Sequence, residues 1–340
     1  MTDRINVILF SRVRVNTGEI EEFDRGDRMN HSRTRSLTEG ALLVAFFAVL
    51  LLISIYVPIL WIVSSMFLVL PFIVYSAKYS FKSSLLMIAA SIGVSAIIGT
   101  LLSVPLAIAY GTTGVVMGWM IKEKKSKFNI FMASTLIFMV NAIVQYVISV
   151  LFFEINFIEE TFSAMNDSML EIFRVAKSLG WDVSWFESTW STNVAVMESL
   201  IPTLLVFSVA LLIWGMIAIN FPIVKRLKID VPIFQPFREL SLPKSVIWYY
   251  LITILLTLIS SPEPGSMFAL AVVNLQMGLE LLMILQGISF IHFYGHLKKW
   301  SKSRLVLITM FAIVLTPFTR ILGIIDLGFD LRQRLQQNKK

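Results

Sequence analysis

Four polar side chains, Asn274, Gln276, Glu280 and Gln286, fall within one largely apolar run from Met267 to Trp300. A membrane span needs about 20 apolar residues, and this run is long enough. Glu280 lies near its middle. A charged carboxylate facing lipid at that depth costs at least about 2.5 kcal/mol, so Glu280 is expected to face protein, water or a ligand. Gln276 stands four residues earlier, on the same helix face. Two chemistries fit. A glutamate inside a membrane can carry protons. Alternatively, the carboxylate and the amides hold the helix in register through hydrogen bonds. Along the sequence no basic partner for Glu280 is evident at membrane depth.

A second polar pair, Asn141 and Gln145, is also spaced four apart. It implies either an interhelical hydrogen bond or the polar lining of a substrate cavity. Other chemistries lack their residues. There is no cysteine, which excludes disulfides, thiolate metal sites and cysteine nucleophiles. His292 and His296 sit beside Lys298 and Lys299 and read as a basic flank at a membrane surface; with His31 they form no metal-ligand cluster. Gly111-Thr112-Thr113-Gly114 lacks the lysine of a phosphate-binding loop, and neither GxSxG nor HExxH occurs. The chain is therefore expected to be no enzyme and to need no cofactor or metal. The net charge of +7 is explained by basic loops, and no nucleic-acid module is present.

Membrane helices must position these side chains. The chain has 340 residues, 56% hydrophobic and 15% charged, with a mean hydropathy of +0.78. Soluble domains are about 45–50% apolar and about 25% charged. Here the apolar residues form long uninterrupted runs. The expected fold is an all-α polytopic membrane helical bundle of eight or nine transmembrane helices.

Residues 1–35 are polar and basic and read as a cytoplasmic tail. Codons for Arg25-Gly26-Asp27 can spell a bacterial ribosome-binding site just before Met29, so Met29 is expected to be the natural start and 1–28 a misassigned extension. Ser36-Leu37-Thr38-Glu39 fits a capping box that opens the first span. Spans are expected at 38–57, 59–77, two within 83–121, 128–152, 196–221, 245–260 and Met267–Trp300. Pro58 and Ser103-Val104-Pro105 mark breaks. Ala89, Gly93, Ala96 and Thr100, and Gly111, Gly114 and Gly118, form small-residue faces for close helix packing.

Lys122–Lys127 and the proline-rich loop 223–244 carry the strongest basic signals, which places them and the N-terminus on the cytoplasmic side of a bacterial inner membrane. The acidic segment 153–195 is then an outer loop. It holds an amphipathic helix over 165–179 and interfacial tryptophans at Trp181, Trp185 and Trp190. The organisation is a tail (1–35), a six-helix core (36–222), a cytoplasmic loop (223–244) and C-terminal helices (245–340). The last apolar run, 305–325, is either a ninth span or a kinked, re-entrant helix broken at Thr316-Pro317. The first puts the basic tail outside, against the charge rule; the second keeps it inside.

Two stretches carry a family resemblance. In Thr38-Glu39-Gly40-Ala41-Leu42-Leu43-Val44-Ala45, Ala41 and Ala45 form an AxxxA face. It resembles the first helix of the membrane-embedded substrate-binding subunits (S components) of energy-coupling-factor vitamin transporters. Gln286-Gly287-Ile288-Ser289-Phe290-Ile291-His292-Phe293, together with the Thr38–Leu43 start and the Asp326–Arg332 segment, resembles the uncharacterised bacterial YybS-type membrane family, itself distantly similar to S components. The resemblance covers most of the chain from about residue 33. It implies an S-component-like six-helix core plus C-terminal helices. It also implies a bound small solute, with Asn141 and Gln145 as candidate contacts, and docking through Ala41 and Ala45 to ATP-driven coupling subunits. The alternatives are an MreD-like scaffold for envelope or division proteins, its basic loops on membrane lipids, and proton-coupled transport through Glu280.

Overall fold

The computed structural model describes residues 17–99, 101–232, 236–260 and 266–337; the side chains of residues 17–33, Leu102, Ser191 and Ser260 fall outside that description. Every regular element described is helical. The chain is an all-α, polytopic membrane bundle. Seven helices are long and apolar enough to cross a bilayer, or eight if one bent pair counts as a span.

The first helix, α1 (Thr17–Tyr56), contains the span Thr34–Tyr56. It passes through Ser36 without a start, so the expected capping box is not one. Thr38 Oγ1 bonds back to Thr34 O at 3.0 Å, as a hydroxyl inside a helix does, and Glu39 pairs with Arg35 (3.1 Å) and Lys78 (3.2 Å). The backbone also runs through Met29, and the side chains there lie outside the described residues. Next come α2 (Trp61–Phe67), α3 (Leu70–Lys78), α4 (Phe81–Gly99), α5 (Val104–Lys122) and α6 (Lys127–Phe153). The expected second span is present as Trp61–Lys78, with one interruption at Leu68 and Val69, which keep helical backbone angles and are both fully buried. Pro71 in the first turn of α3 stabilises a helix start there because its missing N–H is an orphan in any case.

The polar segment after α6 folds as α7 (Phe157–Ser178) and α8 (Ser184–Ser199), more helix than the expected 165–179. Asn156 caps α7 by accepting from Glu159 N at 3.2 Å. Lys177 and Glu187 tie the two helices at 2.7 Å, while Trp181 and Trp185 are each 67% exposed. In the turn between them, Ser184 donates its N–H and then its hydroxyl to Asp182, holding that carboxyl below its usual range.

The remaining elements are α9 (Ile201–Arg226), α10 (Ser245–Ser260), α11 (Met267–Leu297), α12 (Lys302–Val314), α13 (Thr316–Phe329) and α14 (Leu331–Gln337). The Ser261–Gly265 turn expected before α11 lies outside the described residues. α12 and α13 meet at a bend of 105°, so the run 305–325 takes the broken geometry rather than that of a straight ninth span. Pro317 explains the break, since proline cannot donate to the preceding turn. The tail beyond contacts the loop before α10: Asp330 pairs with Lys244, and Arg332 donates to Arg238 O at 2.9 Å. The C-terminal helix thus sits on the same side as that loop.

The chain divides into two compact units, residues up to Asn141 with Ile213–Pro232, and Ala142–Leu212 with Ile233 onward. This division cuts through α6 and α9. In the N-terminal unit the glycine stripe of α5 lies on α3. A Cβ added at Gly118 would come 2.5 Å from Ile73 O, and one at Gly114 would come 2.8 Å from Val69 O. Only glycine permits that approach.

Candidate functional site

The polar residues of α11 each meet a different neighbour in the C-terminal unit. Asn274 closes the start of α9. Its Oδ1 accepts from Thr203 N (3.1 Å) and Thr203 Oγ1 (2.7 Å), and its Nδ2 donates to Ser199 O at 2.6 Å. The first N–H groups of a helix have no intrahelical partner, and Asn274 supplies one from another helix.

Two turns further on, Glu280 is an ion-pair partner. Arg320 Nη1 lies 2.6 Å from Glu280 Oε1, with the two side chains 31% and 23% exposed. This corrects the expectation that Glu280 lacks a basic partner at membrane depth. Arg320 stands on α13, beyond the bend, and that bend brings it to α11. Tyr250 Oη and Gln276 Nε2 each lie 3.4 Å from the same carboxylate oxygen, and Gln276 Oε1 accepts from Thr257 Oγ1 at 3.2 Å. The expected pairing of Gln276 with Glu280 on one helix face is present. Glu280→Gln removes the counter-ion and leaves Arg320 charged in a poor solvent. We expect a loss of about 1.5–3 kcal/mol, the worth of a hydrogen bond to a charged group. Adding Arg320→Gln should restore most of it. Thermal unfolding of the two variants in detergent measures both effects.

The most buried cluster lies at Gln286, which is fully buried. Gln286 Oε1 accepts from Leu242 N at 3.0 Å, and its Nε2 donates to Asp326 Oδ2 at 2.5 Å. Arg332 Nε donates to the same Asp326 oxygen at 2.9 Å. The remaining nitrogens of Arg332 reach Arg238 O (2.9 Å) and Ser289 Oγ (3.1 Å), and the guanidinium lies 5.5 Å over the Phe293 ring. Ser289 Oγ in turn donates to Phe237 O (2.9 Å) and Leu240 O (2.7 Å). One network therefore joins α11, α13, α14 and the loop before α10. Its donors and acceptors are matched, which is what makes a buried polar cluster stabilising.

The sequence-predicted residues of the N-terminal half fall elsewhere. Ala41 and Ala45 are exposed, while Gly40, Phe47 and Leu51 turn the other face of α1 inward. Asn141 is partly buried and donates to Thr112 Oγ1 at 3.0 Å and to Ile137 O at 2.8 Å. Gln145, one turn on, is partly buried as well.

Sequence reasoning missed Asn220. It is fully buried on α9, and its Nδ2 donates to Met66 O (2.9 Å) and Met216 O (2.8 Å). Both partners are carbonyls, so the amide can point only one way. Its Oδ1 has no protein partner among the described residues, nor have the buried hydroxyls of Ser91, Thr113 and Ser134. All four belong to the N-terminal unit, and Met66 is two residues before the break between α2 and α3. A lone Asn in a span that ends Ile219-Asn220-Phe221-Pro222 was the available signal.

With this geometry in view, the chain can be placed among known proteins. A family model described as "Predicted membrane protein (DUF2232)" matches residues 45–327. The chain belongs to this family. It is also 32% identical over 310 residues to "Uncharacterized protein YybS" of Bacillus subtilis (strain 168), covering 89% of this chain and 99% of that protein. The expected YybS-type resemblance over most of the chain is thus borne out. No solved structure matches the chain. The matched region includes both the Asn220 site and the Glu280–Arg320 pair and ends one residue after Asp326.

Proposed function

We propose that this protein is a non-enzymatic, multi-pass subunit of the bacterial cytoplasmic membrane that binds a small solute and docks onto a membrane partner along α1. The observation that carries the reading is Asn220. A buried acceptor held in one orientation favours a bound donor group, because an unpaired buried polar atom costs about 1–3 kcal/mol. Ser91, Thr113 and Ser134 are further buried hydroxyls of the same unit without a protein partner among the described residues. The solute accordingly carries a hydrogen-bond donor.

Docking is assigned to Ala41 and Ala45, which are exposed four residues apart on α1. Small residues at that spacing let a second helix approach closely. The resemblance to S components makes an ATP-driven coupling subunit the partner of choice. The Glu280–Arg320 pair supports a register-holding role for the α11 polar residues over proton carriage, since the carboxylate already has a fixed counter-ion.

The test is mass spectrometry of small molecules that stay with the detergent-extracted protein. The native chain should retain a solute that Asn220→Leu loses by about tenfold or more, while both elute as folded protein. Native protein that retains none, from a strain with no uptake defect on deletion, would sink solute binding. Ala41→Leu with Ala45→Leu should separately reduce co-isolation of ATPase and coupling subunits. Co-isolated morphogenesis proteins would instead favour the scaffold reading.

A further inference from the structure

The bend between α12 and α13 has a consequence on its outer side. A cleft of about 230 Å³ opens there against α11, lined chiefly by Ile291, Ile308, Phe311, Ala312, Leu315 and Phe318. Its polar wall residue, Thr319, is already committed, its hydroxyl donating to Ala312 O at 2.6 Å. The cleft therefore offers nothing to a polar ligand. It is also open, because Phe311 and Phe318 are 64% and 70% exposed. In a membrane span, an open apolar cleft of this kind meets acyl chains.

The cleft also has a basic cluster beside it. Lys298, Lys299, Lys302 and Arg304 cluster where α11 ends and α12 begins, all exposed, and among the described residues none is in an ion pair. Helical spacing connects the charge to the cleft. Arg304, Ile308, Phe311 and Leu315 recur at i, i+4, i+7 and i+11, which is one face of a helix. The rise from Arg304 to Phe311 is about 10 Å, so the cationic group sits roughly where a headgroup would lie if a chain filled the cleft. Lys298 stands two turns beyond Ile291 on the neighbouring helix.

We propose that this cleft is a binding site for one anionic phospholipid, its acyl chain between α11, α12 and α13 and its phosphate on Lys298 and Arg304. Cationic clusters beside membrane helices attract anionic headgroups, and apolar burial of the chain adds the specificity that surface charge alone lacks. The lipid fills the gap that the 105° bend leaves in the bundle.

Native mass spectrometry of the full chain in mild detergent, titrated with phosphatidylglycerol or phosphatidylcholine, tests this. The expected result is one phosphatidylglycerol retained with about tenfold preference over phosphatidylcholine. Lys298→Gln with Arg304→Gln should lower that retention about tenfold. Ile308→Trp, which fills the cleft without touching the charges, should lower it comparably. Ala312→Leu is the second cleft-filling variant, should Ile308→Trp fail to elute as folded protein. Lys124→Gln with Lys125→Gln removes the same charge elsewhere and should leave retention unchanged. Equal retention of the two lipids would overturn the proposal. So would loss in the charge variant without loss on filling the cleft, equal loss in the Lys124/Lys125 variant, or displacement by inorganic phosphate.

Discussion

Arg332→Ala is expected to destabilise the protein by about 3–5 kcal/mol, the cost of leaving a buried charge without its partner. Asp326 is 3% exposed, and its carboxylate depends on two donors, Arg332 Nε and Gln286 Nε2. Removing the arginine takes away the only cation in that set. It also strips Arg238 O and Ser289 Oγ of a donor each. Asp326→Asn should cost less, because the amide keeps the volume and can still accept a hydrogen bond from Gln286. The double variant Arg332→Ala with Asp326→Asn should be more stable than Arg332→Ala alone, since no unpaired charge remains. Thermal unfolding in detergent would rank the three. A loss below about 1 kcal/mol for Arg332→Ala would mean that the tail contact does not hold α13 in place.

The second large effect is steric. Where α11 crosses α13, two glycines face the opposite backbone. A Cβ at Gly323 would lie 2.0 Å from Met283 O, and one at Gly287 would lie 2.1 Å from Thr319 O. Neither obstacle is a side chain that can swing aside. Gly323→Ala or Gly287→Ala must push the helices apart, and overpacking of this kind costs about 1–3 kcal/mol or more. The separation should also lengthen the Glu280–Arg320 pair, which sits beside the crossing. Gly93 is the internal control. A Cβ there meets nothing within 4 Å, so Gly93→Ala should be neutral or stabilise by up to about 1 kcal/mol. Parallel melting curves of the three alanine variants decide the matter; similar losses at all three positions would refute the crossing argument.

The contrast between these glycines marks how far the sequence could be read. Gly93, Gly111, Gly114 and Gly118 share one pattern of small residues at helical spacing. Yet Gly114 and Gly118 lie against α3 backbone, whereas Gly93 faces open space. Spacing defines a face of a helix; the identity of what covers it depends on residues far away in the chain. The same holds for Asn141. Its interhelical hydrogen bond was one of two expected readings, and the partner, Thr112, became known only once α5 and α6 were placed together.

Hydropathy alone determined the class of protein, because a bilayer admits only helices or closed barrels and the apolar runs are too long and too uniform for strands. Length limits and prolines located most of the spans and the interruption at Thr316-Pro317, since those are local properties of the backbone. The tertiary structure decided what the polar residues of α11 contact. Glu280 and Arg320 are 40 residues apart, as are Gln286 and Asp326, and the Arg332 contact to Arg238 spans more still. Charge complementarity over such separations has no periodicity to betray it. It exists only because a proline-induced bend turns α13 across α11, and that turn is a property of the packed helices.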